Sequence, residues 1–482
     1  MESLPVAPDR GSGFGWEGPG VLGSGLGFAS AALLAGVMAA WGWGGAALAV
    51  FGVVVLAWAG AHLAWIEVQT VLLAVLLLVP EVASGKSFGL LVPWSAGLTW
   101  TNFVIPAVAL PLLAGAWWSG RKLWPRRWPA LATWMLALLA WSLLTLAAAS
   151  ARPEVALKVA GLETILGHVV KLALFVLIGV ALAAGGESWR ARAAKLLLLG
   201  VGLNAAVGLA QAAGWVAALS PLAQGARPRA TGLFYDANLY GVLMSWALLW
   251  LLCQPRQRGW RRWAIHGLTL AVAGNLIAAG SRAGYLACAA GCIVLLLAGR
   301  RRAVGGAVLL LLGLGLLFPA QSLHRMRTAA ATMAAWWQAP APVSSPAADT
   351  STQQRLDTMA QALRQIAQHP VMGLGFGRAL YLGVPAVGSG PLTPEVRFRG
   401  AQDMWLTVWA GTGPVGLVLL LMAVIAPWRF WWRAGRAAAP MLAGYAGVLT
   451  ACLTQEALWN ARLLALVVFL TAGIGMGWGR CE

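Results

Sequence analysis

Long apolar tracts separated by short polar and basic segments run from near the start of the chain to its end. About 20 apolar residues are enough to cross the hydrocarbon core of a bilayer as a helix. Such tracts lie at about 24–42, 46–64, 67–82, 103–119, 128–149, 168–184, 196–217, 237–254, 264–280, 284–299, 303–320, 404–427, 438–458 and 462–479. Because the third tract is short enough to be re-entrant, we expect about 12 to 14 membrane spans.

These tracts predict the fold class as all-α, a polytopic transmembrane helical bundle. Lipid offers no hydrogen-bond partner to a free peptide group, and no tract alternates as the strands of a barrel do. The composition agrees, since 60% of the residues are hydrophobic and 10% are charged, whereas soluble domains have about 25% charged residues. A water-soluble enzyme is therefore excluded.

The net charge of +19 reflects basic clusters in alternate loops. Cytoplasmic loops retain an excess of Lys and Arg, so these clusters predict the cytoplasmic side of the membrane. Anionic membrane lipid is then the expected partner of the basic charge, and nucleic acid is not. The clusters contain Arg121, Lys122, Arg126, Arg127, Arg190, Arg192, Lys195, Arg256, Arg258, Arg261, Arg262, Arg300, Arg301, Arg302, Arg429, Arg433, Arg436 and Arg480.

Arginines also occur in the loops predicted to lie on the outer side of the membrane, where the orientation rule expects few basic residues. Guanidinium groups recognise phosphate through two parallel hydrogen bonds, so these loops are predicted to bind an anionic substrate. The alternative for Arg282, which lies in a very short loop, is that its side chain only snorkels to the interface. The other outer arginines proposed to bind substrate are Arg227, Arg229, Arg378, Arg397 and Arg399.

One long hydrophilic segment, 322–403, is predicted to form a large periplasmic loop containing helices. Its part "RLDTMAQALRQIAQHP" has Leu356, Met359, Leu363 and Ile366 at helical spacing, which predicts an amphipathic helix over the mouth of the bundle. The glycines of "GLGFGRAL" are interpreted as a hinge. The predicted organisation is N-terminal transmembrane helices at 1–200, central ones at 201–321, the periplasmic loop at 322–403 and C-terminal transmembrane helices at 404–482.

Three segments between about 200 and 425 resemble the O-antigen ligase and polymerase superfamily of membrane glycosyltransferases. The segment "RATGLFYDANLYG" is similar to the family's Arg-x-x-Gly-x-Phe and the Asn-containing helix start after it, and "GSRAGYLA" is similar to its Ser-Arg-Gly/Ala turn. The segment "QDMWLTVWAGTGPVG" follows the ligase pattern His-[Asn/Ser/Gln]-x9-Gly-x-x-Gly in its spacing. Gly413 and Gly416 fall on the pattern's glycines, but Gln402 stands in the place of its histidine.

The resemblance implies transfer of a glycan from an undecaprenyl-diphosphate donor to an acceptor hydroxyl. Arg229 and Arg282 match the family's two donor-diphosphate arginines, which neutralise charge on the leaving group. Asn238 falls in the matched helix start and is a predicted substrate-binding residue. No metal and no cofactor are expected, because the sequence has no Asp-x-Asp pair and no external cluster of His and carboxylate residues.

The glutamine at position 402 separates this chain from the ligase pattern, because an amide positions a hydroxyl but does not take its proton. Asp403 is the nearest titratable residue and is predicted to act as the base; the alternative is that it only caps the helix beginning at 404. Asp236 is interpreted as the cap of a helix that begins at Ala237. Neither His324 nor His369 occupies a motif position.

The sequence thus predicts an inner-membrane glycosyltransferase with a periplasmic active site, and the missing histidine favours a surface-polysaccharide polymerase. An O-antigen ligase acting on lipid A core, or a protein O-oligosaccharyltransferase, remains the alternative. A flippase for lipid-linked glycans would need basic residues deep inside several helices, whereas Lys171 is the clear candidate here. A non-catalytic scaffold is favoured only by the absent histidine.

Overall fold

The computed structural model describes residues 44–78, 101–120, 130–150, 187–217, 229–234, 236–254, 258–317, 350–376, 403–433 and 438–454, with the single residues 178, 327, 331 and 334. These residues form helices joined by turns, and no strand occurs among them, so the all-α prediction is confirmed for this part of the chain. The helices are α1 Gly44–His62, α2 Trp65–Leu78, α3 Thr101–Trp118, α4 Ala130–Ser150, α5 Glu187–Ala212, α6 Ala237–Leu252, α7 Trp260–Ala279, α8 Arg282–Leu297, α9 Arg301–Leu317, α10 Thr350–Gln368, α11 Met404–Arg433 and α12 Ala439–Ala451.

Most of the predicted apolar tracts correspond to one helix each, with shifted ends. The largest shift is in α5, which begins at Glu187 rather than near 196 and so includes Arg192 and Lys195. Apolar periodicity misses this start because basic residues are good helix formers that carry no apolar signal. The predicted tracts at 24–42 and 462–479 lie outside the described residues, as does 168–184 apart from Ile178.

Two helical segments of the described residues, Arg192–Ala212 and Met404–Trp428, are long and apolar enough to cross a membrane. Several shorter apolar helices accompany them, including Ala237–Leu252, Arg282–Leu297 and Ala439–Ala451. The predicted number of about 12 to 14 spans and the predicted periplasmic loop stay predictions.

The chain divides into two compact units. The smaller unit comprises the residues up to Val68 together with Leu110–Lys122. Within it, Gly60 lies against the backbone of Leu112, and Gly115 lies against the backbone of Ala57. Glycine allows this close helix–helix approach because a Cβ at either position would meet main-chain atoms.

The larger unit, Gln69–Ala109 and Leu123–Glu482, contains the candidate site and packs through small residues. Parallel helices α6 and α8 meet where Gly241 lies against Gly284, and the Ser245 hydroxyl donates to the Gly284 carbonyl at 2.6 Å. Helix α12 runs antiparallel to α8, with Gly447 against Ala287 and Gly291 against the carbonyl of Ala443.

Helices α5 and α7 run parallel, because Gly202 lies beside Leu268 while the Asn275 amide donates to the Ala205 carbonyl at 2.9 Å. The start of α11 is tied to the end of α12 by a hydrogen bond from Met404 N–H to the Cys452 carbonyl at 3.0 Å. One end of this unit therefore collects the C-termini of α5, α7 and α12 with the N-termini of α6, α8 and α11. We call it the arginine end, since Arg229 and Arg282 lie there.

Helix α10 packs on the first turns of α11, and this confirms the amphipathic helix predicted from the sequence. Ala362 and Ile366 of α10 form a buried cluster with Ala410 of α11, flanked by Leu406 and Trp409. The predicted apolar face is only partly correct, because Leu363 is 51% exposed. The helix ends at Gln368, two residues before Pro370, as the proline predicts.

Helix α11 is broken at Gly413, whose φ of 68° and ψ of −173° are not helical. The break leaves carbonyls without their helical partners, and two neighbouring segments supply donors. The Leu374 N–H donates to the Ala410 carbonyl at 2.8 Å, and the Trp141 indole N–H from α4 donates to the Thr412 carbonyl at 2.8 Å. The turn after α10 is thus a fixed contact of α11, with Gly373 (φ 65°) and Gly375 (φ 96°) in the left-handed region.

Candidate active site

A buried loop, residues 229–234, carries the Arg-x-x-Gly-x-Phe motif into the protein at the arginine end. Ala230, Thr231 and Phe234 are each no more than 1% exposed. A loop this deeply buried needs partners for its peptide groups. The N–H groups of residues 230–233 each have one, since Ala230 N–H donates to the Ala278 carbonyl at 3.2 Å and the N–H groups of residues 231–233 donate to side chains of α5.

The Gly and Phe positions of the motif have clear steric roles. Gly232 has a φ of 56°, which favours glycine, and a Cβ there would collide with the Tyr240 ring. Phe234 fills the space beside Tyr240, with ring centroids 6.3 Å apart. The Tyr240 hydroxyl donates to the Asn204 carbonyl at 3.0 Å. Together these contacts fix the direction in which the loop leaves toward α6.

The Arg229 guanidinium is anchored by the protein at the end of α7. Its Nε donates to the Ala279 carbonyl at 2.7 Å, and its Nη2 donates to the Asn238 side-chain oxygen at 3.0 Å and to the Gly280 carbonyl at 3.4 Å. A positive charge at a helix C-terminus also interacts favourably with the helix dipole. Arg229 therefore joins the buried loop, the start of α6 and the end of α7.

The turn that presents Arg282 is as short as the sequence predicts. Gly280 closes α7 in the left-handed conformation, and Ser281 caps α8 by accepting the Gly284 N–H at 3.0 Å. The Ser281 hydroxyl also lies 3.3 Å from the Asn238 carbonyl, to which it donates. Arg282 is the first residue of α8 rather than a loop residue, because Ser281 supplies the helix cap. Its side chain is half-buried.

Asp403 caps α11, since its carboxylate accepts the Leu406 N–H at 3.0 Å. The residue is buried. Burial raises the pKa of this carboxyl above its ordinary value, opposed by hydrogen bonds from the backbone of Leu406 and Trp405. The capping contact itself does not decide whether Asp403 also acts as a base, which stays a prediction. Asp236 caps α6 through the Asn238 N–H at 2.7 Å, and this prediction is confirmed.

The tertiary structure brings Arg229, Arg282 and Asp403 to the same end of the bundle. Arg229 contacts the residues directly before Arg282 in the turn. The antiparallel pairing of Ala287 with Gly447 places the start of α8 level with the end of α12, where Cys452 holds the start of α11. The exposed basic residues at the starts of α7 and α9, such as Arg261 and Arg302, lie at the opposite end.

Several predicted site residues lie outside the described residues. They are Gln402, Arg227, Arg378, Arg397 and Arg399. Asn238 is described, and its side chain contacts Arg229; its role in substrate binding stays a prediction. No group of three or more His, Cys, Asp or Glu side chains suited to a metal ion occurs within the described ranges.

Sequence analysis did not single out Asn204 and Gln211 on α5, which hold the buried loop. The available signal was a polar amide side chain within an apolar tract, since such residues face the protein interior and often have functional roles. One sequence does not reveal which peptide groups such a side chain meets.

Residues 267–421 match the family model described as O-antigen ligase. The match supports membership of the O-antigen ligase superfamily, as the sequence motifs predicted. It implies a membrane-embedded glycosyltransferase of the O-antigen ligase or polymerase type, with lipid-linked glycans as partners in general. No curated protein matches the chain significantly.

Proposed function

We propose that the protein transfers or polymerises glycans from undecaprenyl-diphosphate donors on the periplasmic face of the bacterial inner membrane. The supporting observation is the convergence of Arg229, Arg282 and Asp403 at the arginine end. The N-termini of α6, α8 and α11 lie at this end, and helix N-termini favour bound anions. The described basic residues at the starts of α5, α7 and α9, such as Arg192, Arg261 and Arg302, lie at the opposite end, and basic residues of this kind are expected on the cytoplasmic side.

In the proposed reaction, the oxygen of an acceptor hydroxyl attacks the anomeric carbon of the donor glycan. The bond between that carbon and the diphosphate oxygen breaks, and the electron pair leaves with undecaprenyl diphosphate. Arg282, held at the start of α8, neutralises charge that grows on the leaving oxygen. Asp403 accepts the proton of the acceptor hydroxyl, and its burial raises its pKa, which makes the carboxylate a stronger base.

Polymerase and ligase share this donor chemistry and differ in the acceptor. We favour a surface-polysaccharide polymerase, whose acceptor is another lipid-linked glycan, because Gln402 replaces the histidine of the ligase pattern. The ligase alternative is supported by Gly413 and Gly416, which retain the pattern's spacing. In the structure Gly413 forms the break of α11, so this glycine has a role in the shape of the helix.

The test is incubation of the purified full chain with a synthetic undecaprenyl-diphosphate glycan. A polymerase should yield longer lipid-linked glycan and free undecaprenyl diphosphate without added acceptor. A ligase should need added lipid A core, and the glycan should then appear on that acceptor. Release of no undecaprenyl diphosphate with either acceptor would contradict the proposed function.

A further inference from the structure

Two amide side chains of α5, Gln211 and Asn204, bind the buried loop that carries Arg229. Gln211 is 3% exposed and Asn204 is 1% exposed. They are seven residues apart, which places both on one face of the helix. Neither residue belongs to the motifs that resemble the glycosyltransferase family.

Gln211 binds the loop as a neighbouring strand would, through both ends of its amide. Its Oε1 accepts the Thr231 N–H at 2.8 Å and the Gly232 N–H at 2.9 Å. Its Nε2 donates to the Gly232 carbonyl at 3.0 Å. Unpaired peptide groups are costly in a buried site, so these bonds allow an irregular backbone to remain buried there.

Asn204 continues the same pattern one residue further along the loop. Its Oδ1 accepts the Leu233 N–H at 3.1 Å, while its Nδ2 donates to the Gly200 carbonyl of its own helix at 2.9 Å. The main-chain carbonyl of Asn204 accepts the Tyr240 hydroxyl. The side-chain amides of α5 therefore fix how residues 231–233 lie along this helix and keep them buried against it.

The loop is linked to both arginines. Arg229 lies two residues before Thr231, and its guanidinium binds the Ala279 and Gly280 carbonyls. Those carbonyls belong to the turn from which Arg282 starts α8. A displacement of the loop would therefore move Arg229 and release the turn that presents Arg282.

We infer that Gln211 and Asn204 are positioning residues of the donor site, which act on the donor diphosphate through Arg229 and Arg282. The inference rests on the proposed function. A small displacement of a catalytic group can lower turnover about a hundredfold, so the two amides have an effect on catalysis without touching the substrate.

The first measurement is hydrogen exchange of the full chain in nanodiscs, which does not depend on activity. Gln211→Leu keeps the approximate size of the side chain and removes its acceptor and donor. Amides 231 and 232 should exchange about tenfold faster, as expected for the loss of two ordinary hydrogen bonds. Gln211→Glu keeps an acceptor oxygen for these two amides but loses the Nε2 donor to the Gly232 carbonyl, so its protection should lie between those of wild type and Gln211→Leu. Unchanged exchange in Gln211→Leu would overturn the inference.

The second measurement is a double-mutant cycle in the glycan-transfer assay. Gln211→Leu should lower turnover about tenfold to a hundredfold and should add little to Arg229→Ala, because both changes disturb the same group. It should combine additively with Asp403→Asn, which lies on another helix. Gln211→Glu, which keeps the acceptor and loses the donor, should have a turnover between those of Gln211→Leu and wild type. Gln254→Leu is the matched control, because the Gln254 amide, just after the end of α6, donates to the Trp250 carbonyl at the end opposite the candidate site, and its turnover should match wild type.

The outcomes separate the inference from the proposed function. If amides 231 and 232 exchange faster in Gln211→Leu but the wild-type protein transfers no glycan, the anchoring of the loop is supported and the proposed function is contradicted. Normal turnover by Gln211→Leu in an active background overturns the positioning role. Additive effects of Gln211→Leu and Arg229→Ala overturn it too, since a general loss of stability would add to any second change.

Discussion

Arg229 and Arg282 carry the same charge in different settings. Arg229 donates to two backbone carbonyls and to the Asn238 side chain, so part of its hydrogen-bonding capacity holds the protein together. Arg282 begins α8 directly after the Ser281 cap, where the helix N-terminus adds positive potential. We therefore expect Arg282 to bear more of the interaction with the leaving diphosphate, and Arg229 to bear more of the structural role.

Replacement of Arg282 tests this assignment. Arg282→Ala should lower turnover roughly a hundredfold to a thousandfold, because one strong donor to developing charge contributes about 2.7 to 4 kcal/mol. Arg282→Lys keeps the charge but loses the planar fork, so it should remain substantially impaired. Turnover and undecaprenyl diphosphate affinity are the measurements. Arg302→Ala is the control, because Arg302 is exposed at the opposite end of the bundle. Wild-type turnover in Arg282→Ala would favour simple snorkelling.

Asp403 and Gln402 form the pair in which the chain departs from the ligase pattern. If Asp403 is the base, Asp403→Asn should lower turnover about a hundredfold or more with donor affinity nearly unchanged. Asn caps a helix about as well as Asp, so a capping role alone predicts a mild effect. Gln402→Ala should lower turnover less than Asp403→Asn does, since it removes only a group that positions the acceptor hydroxyl. Near-normal turnover by Asp403→Asn would exclude Asp403 as the base.

The pH dependence of turnover offers a second test of Asp403. Burial raises the pKa of its carboxyl, and a base acts only when it is deprotonated. The acid limb of the pH profile should therefore lie above the range of an ordinary carboxyl, and turnover should rise as pH increases through the raised pKa. Asp403→Asn should remove this limb from the residual activity. An acid limb that persists unchanged in the variant would assign the titration to another group.

At the scale of elements, the break in α11 joins three segments of the larger unit. Gly413 lies against the Val371 carbonyl, Leu374 binds the Ala410 carbonyl, and Trp141 binds the Thr412 carbonyl. The start of α11, which carries Asp403, is thereby tied to α10 and to α4. The glycine of the motif is required for this shape, because it has a positive φ and no space for a Cβ.

Gly413→Ala should destabilise the protein by about 2 kcal/mol or more, because its φ of 68° and ψ of −173° lie in a region open essentially to glycine alone, which costs another residue on the order of 1–3 kcal/mol. The new Cβ would also meet the Val371 carbonyl. Thermal unfolding in detergent measures the change. Gly305→Ala is the matched control, because Gly305 lies within α9 with open space around it; there alanine should stabilise by about 0.5–1 kcal/mol. Equal unfolding temperatures for the two variants would contradict the role assigned to the break.

At the scale of the molecule, the arginine end of the larger unit and the opposite end, where α7 and α9 begin, should face opposite sides of the membrane. Cysteines introduced one at a time, at Trp215 after α5 and at Arg258 before α7, probe the two ends in a background without native cysteines. Both positions are exposed, and Arg258 avoids the positive φ of neighbouring Gly259. An impermeant thiol reagent applied to spheroplasts should label position 215 and spare position 258. The reverse pattern would overturn the orientation.

The sequence by itself determined the helical class, the main helix positions, the amphipathic helix before Pro370, the Asp236 cap and the resemblance to the O-antigen ligase family. These features follow from local patterns: apolar runs, helical spacing, capping residues and fixed motif spacings. The tertiary structure alone decided that Arg229 is anchored at the end of α7, that Leu363 is exposed, and that Asn204 and Gln211 bind a buried loop. Each depends on which chain segments become neighbours in the fold. The sequence around a polar residue in an apolar tract does not specify the distant peptide group that the residue binds.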